Sequence, residues 1–391
     1  MKLLFREFAL LTLLALANAT VIRRLVSPRN DPFYEIPENV TDVPPGTVLK
    51  HRKPPMPISD FGVAPINLKD THQILYKTTD SLNASTATVL TVLIPHNADM
   101  NKVLSYQFME DSADIECAPS YVLQQSSFPG GPLSPAASQI EFLLAQAALD
   151  RGWVVIMPDF QGPKAAFLAN ALAGHSVLDG IRAATRSTEL TGISQNATVA
   201  LWGYSGGSLA AGWAAELQPT YAPDVRIAGA ALGGTVPNIP NVITASNKSL
   251  FAGLLPAGIL GLAHQYPEIA DLLKQHLLPQ HKPAFDKDSL YSHAPKSQFA
   301  RTPPHSATAP PRSEPNKPLV RMSDISNSLA SRSLIRCNSN AVANRIFTTL
   351  VGKPRVCYSQ ILRHFRRVTP FSSFAAVVLC LRLSARNSSA S

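Results

Sequence analysis

The chain has 391 residues, 45% of them hydrophobic and 16% charged, with a formal net charge of +9. That length suits one large α/β domain with insertions, or two domains, and supplies ample apolar material for a core. The basic balance is not a property of the whole chain: residues 287–391 hold 16 of the 35 Lys+Arg and 3 of the 26 Asp+Glu, leaving 19 and 23, so the body is mildly acidic. The basic tail, which could bind nucleic acid or acidic lipid, lacks helical patterning and aromatic interleaving and reads as a solvated or spurious segment, with no nucleic-acid partner.

Taken in order, Lys2 and Arg6 precede a short apolar run over residues 8–17, and Ala17-Asn18-Ala19 fits a small-x-small cleavage site. Residues 1–19 read as a secretory signal, too short to span a bilayer; a buried N-terminal helix is the alternative, with Glu7 in its favour. Five glycosylation sequons, at Asn39, Asn83, Asn196, Asn247 and Asn387, agree with export to the cell exterior. Residues 20–57 are rich in proline and turn residues and read as an extended N-terminal segment wrapping the domain. Strand-like runs follow at residues 73–78, 86–94 and 103–108. Directly after the third comes MEDSADIECAPSY, residues 109–121. Acids at the C-terminal end of a strand lie on the edge where open α/β sheets place their chemistry, which singles out Asp111. A turn aspartate bonding its own backbone is the plain reading of the same residue.

Residues 136–149 (AASQIEFLLAQAAL) have helical spacing, 153–157 (WVVIM) form a buried strand, and PDFQG at 158–162 closes it with a turn. Helical segments at 165–173 and 176–186 lead to TVALWGYSGGSLAAGWAAEL, residues 198–217, which organises the chain. It reads as a β-branched strand, a glycine-framed turn and a helix rich in Ala and Leu. Ser205 sits at the turn, with Gly203 and Gly207 two residues to either side and Gly206 next to it. This Gly-x-Ser-x-Gly string is a nucleophile elbow. The serine takes a strained backbone conformation, and the glycines remove side chains that would block strand–helix approach. The turn also aims the first N–H groups of the helix, Gly206 leading, at an oxygen that turns negative during acyl transfer. One more strand over 226–232 ends in Gly233-Gly234-Thr235. Near-continuously apolar strands alternating with helices predict an α/β fold with a mostly parallel sheet and helices on both faces. The apolar run at 250–263 and a proline-started helix at 267–278 read either as core packing or as the start of a cap over an acyl-chain pocket. Neither a metal-ligand spacing nor a cofactor motif is present, and no stretch is long enough to cross a membrane.

The elbow, MEDSADIECAPSY, PDFQG, LDGIRAA at 178–184 and FAGLLPAGILGLA, in this order, resemble the fungal secretory lipases over about residues 31–285. The resemblance implies an α/β-hydrolase fold, with a core over 58–286, and an activity that cleaves acylglycerol esters, with lipid-interface contact. It makes Ser205 the nucleophile, and Asp111 and the Gly206 N–H the oxyanion-hole donors. An aspartate donates only when protonated, so this implies a carboxyl kept neutral by burial. The resemblance also implies that Cys117 pairs with a cysteine beyond the elbow helix.

The family pattern places the triad acid and base roughly 150 and 180 residues past the serine, near 355 and 385. After Asp288 the only acids are Glu314 and Asp324 and the only histidines His293, His305 and His364. His364, in ILRHFRR, is flanked by arginines that disfavour an imidazolium, and it is the weak candidate that remains for the base. Residues 287–391 hold one glycine, Gly352, of the chain's 20 and are dominated by serine and arginine. They read as a low-complexity basic tail, disordered or foreign to the family through a shifted frame or retained intron. The readings this leaves are a secreted triacylglycerol lipase or esterase, a catalytically inactive hydrolase remnant or lipid-binding protein, and a serine peptidase on the same fold.

Overall fold

Alternation along the strands sets the layers. In the computed structural model, which describes residues 25–60, 62, 64–127, 136–235, 239, 253–283 and 285, successive residues of each central strand face opposite cores. Val103, Val154, Ile156, Val199 and Leu201 enter one apolar cluster, while Leu104, Val155, Met157 and Ala200 enter a second on the other face. The strands are β1 (Val48–Arg52), β2 (Ser59–Asp60), β3 (Ala64–Pro65), β4 (Asp70–Thr79), β5 (Ser85–Ile94), β6 (Asp99–Gln107), β7 (Trp153–Pro158), β8 (Thr198–Tyr204) and β9 (Ile227–Gly233). Seven of them form one sheet in the order β1-β4-β5-β7-β6-β8-β9, and β2 and β3 pair separately.

The sheet is mixed. β1, β4, β5 and β7 pair antiparallel, whereas β7, β6, β8 and β9 run parallel. The parallel half carries the crossover helices: α1 (Ala136–Leu149), α2 (Asn170–Arg186) and α3 (Gly206–Tyr221). Helices α2 and α3 cover the first core through Ala173, Val177, Ile181, Ala210 and Ala214, and α1 covers the second through Phe142, Ala145 and Ala148. Tyr76, Tyr106, Phe108 and Phe142 are fully buried; burying a large apolar side chain stabilises by roughly 1.5–3 kcal/mol. The buried tyrosines satisfy their hydroxyls, Tyr76 donating to the Ser176 carbonyl at 2.7 Å and Tyr106 to Glu141 Oε1 at 3.1 Å.

Three expectations need correction. The two helical segments read at 165–173 and 176–186 are one helix that begins only at Asn170, because Ala165 and Leu168 adopt positive φ (48° and 70°) and hold the preceding chain as a loop. The N-terminal segment does more than wrap: after three 3₁₀ turns it adds β1 to the sheet edge. Arg52 of β1 lies 4.0 Å over the Phe33 ring and pairs with Asp31 at 2.7 Å, which fixes that segment to the sheet. The helix read at 267–278 ends at His276; with α4 (Leu254–Gln265), this α5 (Pro267–His276) completes the described helices of full length. The signal expected at 1–19 and the tail expected at 287–391 lie outside the described residues.

Candidate active site

The parallel strands β6 and β8 end side by side, and their last register pair is Gln107 with Gly203. The loops that leave these two strand ends build the site. After Tyr204 the chain turns at Ser205, with φ 51° and ψ −116°, and enters α3 at once. A non-glycine residue at positive φ is strained by about 1–3 kcal/mol and persists only where its surroundings hold it. Here the Ser205 N–H donates to the Gly233 carbonyl at the end of β9 (2.9 Å), and the Ser205 carbonyl accepts from the Ser208 N–H (3.0 Å) and hydroxyl (2.7 Å). The glycines do what the motif requires. A Cβ on Gly203 would stand 2.9 Å from the Ser208 nitrogen and nearer still to the Gly207 carbonyl; one on Gly207 would stand 2.9 Å from the Gln107 carbonyl carbon.

On the other strand, Met109, Glu110 and Asp111 leave β6 and turn across the front of α3. Asp111 has φ 42° and is buried, and a Cβ on Gly206 would lie 3.1 Å from its carboxyl carbon and closer to Oδ1. The carboxyl therefore rests on the bare Cα of Gly206, beside the N-terminus of α3, whose unpaired N–H groups favour negative charge. The structure brings Ser205, Gly206 and Asp111 side by side.

Buried acids and one amide hold the loop in place. The Gln161 side chain, with its oxygen toward the Asp111 N–H (3.2 Å) and its nitrogen toward the Ser112 carbonyl (2.6 Å), ties the loop after β7 to the loop after β6. Glu110 accepts backbone N–H groups of Phe160 and Gln161, and burial, with Asp159 and Asp111 nearby, pushes its carboxyl well up. Asp159 accepts the Ser120 N–H at 2.9 Å and the Ser120 hydroxyl, and burial pushes it up to about 7. The Tyr34 hydroxyl meets Ser120 at 2.8 Å, bringing the N-terminal segment into the same network. Glu141, on α1, accepts the Met109 N–H at 2.9 Å, and burial pushes it up to about 8.

Sequence reasoning missed Gln161, Glu110, Asp159 and Glu141. For Glu141 a signal existed: it is the one charged residue in AASQIEFLLAQAAL. Cys117 ends a 3₁₀ turn (Ile115–Cys117) and is unbridged among the described residues, its thiol pushed up to about 12 by burial. Cys337, Cys357, Cys380 and His364 lie outside the described residues. Among the described residues, no histidine or carboxylate hydrogen-bonds the Ser205 hydroxyl, no cluster could hold a metal, and no helix is long and apolar enough to cross a membrane. The apolar run at 250–263 supplies α4, whose Gly261 lets it pack directly on the Phe167 backbone behind the loop after β7.

The chain is similar to proteins named lipases. Lipase A of Arthroderma benhamiae is 50% identical over 260 residues, covering 66% of this chain and 55% of that protein. Lipase 1 of Candida albicans is 47% identical over 251 residues, covering 64% and 53%. The chain thus spans about half the length of the curated relatives it matches. The X-ray structure of Candida antarctica lipase A superposes with a TM-score of 0.59 at 32% identity, over 69% of this chain and 61% of that one. The family model described as "Secretory lipase" matches residues 129–344, so it runs on past residue 285. The chain belongs to the secretory lipase family.

Proposed function

We propose that this protein is a secreted serine hydrolase that cleaves acylglycerol esters through Ser205. The observation that carries the reading is the placement of Ser205 at φ 51° on a strand–helix turn, with the Asp111 carboxyl seated on Gly206 beside it. In the reaction, Ser205 Oγ attacks the ester carbonyl and a histidine takes its proton. The carbonyl oxygen becomes an oxyanion held by the Gly206 N–H and a protonated Asp111, and the histidine returns its proton to the departing alcohol. Water, giving that histidine a proton that passes back to Ser205 Oγ, then releases the fatty acid from the acyl-serine. His364 is the weak candidate for that histidine, and no residue is assigned as the acid.

A second reading has a specific observation behind it. No acid stands near 355 and no histidine near 385 in the sequence; without a base the serine is a poor nucleophile, and the scaffold would bind lipid esters without turning them over. Release of fatty acid from short-chain and long-chain glycerol esters by purified protein, beside Ser205→Ala, separates the two. Release that disappears in the variant supports the hydrolase, and equal signals from both proteins reject it.

A further inference from the structure

The ladder between β6 and β8 stops at the Gln107–Gly203 pair, since beyond it the two backbones part to form the site. Two amides past that point sit where the strands no longer serve each other: Met109 N–H, two residues before Asp111, and Tyr204 N–H, one residue before Ser205. Glu141 lies against both. Its Oε2 accepts from Met109 at 2.9 Å, its carboxyl sits beside the Tyr204 N–H, which favours its charged form, and Oε1 accepts from the Tyr106 hydroxyl at 3.1 Å. The side chain is fully buried against the aromatic group of Tyr106, Phe108 and Phe142, with Tyr106 and Phe108 centroids 4.9 Å apart. An acid in such surroundings carries a desolvation cost that a leucine would not, so its bonds rather than its burial account for the site it occupies.

We propose that Glu141 is a positioning residue that sets the spacing between the two halves of the oxyanion site, holding the Asp111 loop and the Ser205 elbow to one carboxyl group. This rests on the serine-hydrolase reading for its effect on rate, while the geometric claim stands without it. α1 is thereby more than a cover for the second core: its single acid reaches through the sheet edge to the site. Burial raises the Glu141 carboxyl most, and the nearby Asp111 carboxyl adds to that rise.

The test is Glu141→Gln, which keeps the shape but replaces one of the two accepting oxygens by a donating NH2 group. Two readouts are taken on the full chain. Hydrogen exchange on peptides over residues 105–112 and 200–208 should speed up about tenfold, with peptides from β4 and β5 unchanged. Labelling of Ser205 by a fluorophosphonate probe should slow roughly tenfold at an unchanged half-saturating concentration, because misplaced donors weaken the transition state and not the ground state. Wild-type labelling should also show an inflection near the point where Glu141 titrates, about pH 8, and the variant should lack it. Wild-type exchange rates at both segments in the variant would overturn the proposal whatever the labelling shows. Loosened amides with unchanged labelling would also overturn it. Failure of the wild type itself to label would defeat the hydrolase reading, with the exchange arm still deciding the role of Glu141. Should Glu141→Gln not fold, Glu141→Asp, which retracts the carboxyl by one methylene, takes its place with the same readouts.

Discussion

Gly207→Ala should destabilise the protein even though it replaces glycine by the best helix former inside a helix. Alanine is worth about 0.8–1.0 kcal/mol over glycine in a helix interior. At position 207 the new Cβ would stand 2.9 Å from the Gln107 carbonyl carbon, nearer to its oxygen, and 3.3 Å from the Phe108 carbonyl carbon. Carbon atoms prefer about 3.5–4.0 Å. The obstructing atoms are backbone at the end of a buried strand, so no side chain can rotate away, and α3 must lift from β6. Overpacking typically costs about 1–3 kcal/mol and more against fixed backbone, which after the helix gain leaves a net loss of up to about 2 kcal/mol, or greater where the backbone cannot give. Gly212, on the same helix, is the internal control: its Cβ would meet only Leu232 Cδ1, at 3.7 Å. There propensity should win, and Gly212→Ala should gain up to about 1 kcal/mol. Urea unfolding of the two variants beside wild type measures both signs. A Gly207→Ala protein as stable as Gly212→Ala would refute the reasoning that close approach dictates this glycine.

Asp111→Ala should lower the rate of ester cleavage by about 10²–10³ while Asp111→Asn, which donates without needing a proton, stays much nearer wild type; equal losses in steady-state assays would mean that the carboxyl does not act as a donor. Gly206→Ala should fold normally yet lose activity, since its Cβ displaces only the movable Asp111 carboxyl, 3.1 Å away at its carbon; retained kcat would argue against that seat. Stability should fall as pH rises from about 6.5 to 9. Asp159 and Glu141 are held near 7 and 8, above their ordinary values, so in that window the native protein binds more protons than the unfolded chain. His51, His72 and His175, lowered by burial, act in the opposite sense, but their contribution is half complete at about pH 6.5 and gone by about pH 7.5. Melting temperatures that rise over this range, or an Asp159→Asn protein with an undiminished slope, would contradict the assignment. Asn83, exposed at the β4–β5 turn with φ 65°, should carry a glycan in a eukaryotic secretion host; an Asn83→Gln protein that migrates identically would count against it.

The elbow was legible because three independent demands fall on adjacent residues: a β-branched strand, a serine and glycines at fixed offsets. The strands β5, β7 and β8 were legible for a related reason, since segments buried on both faces leave continuous apolar runs that little else produces. Gly174 falls in the gap between the two segments read as helical, whereas it sits inside one helix, 3.0 Å from the Trp213 carbonyl carbon for its would-be Cβ, and lets α2 and α3 approach. Asp111 showed the opposite ambiguity. Its plain reading as a turn aspartate and its reading as a site residue are compatible, because the turn with φ 42° is what brings the carboxyl to Gly206. Glu141 was passed over because an acid on a helix ordinarily faces solvent, and only the tertiary structure shows that this one meets the ends of β6 and β8.

The central claim, that Ser205 is an activated nucleophile, is tested most directly by treating the folded full chain with a fluorophosphonate and mapping the adduct by mass spectrometry. A single phosphonylated residue, Ser205, is expected, with labelling abolished in Ser205→Ala and slowed in Asp111→Ala. An unlabelled folded protein, or an adduct at any other serine, would contradict the claim.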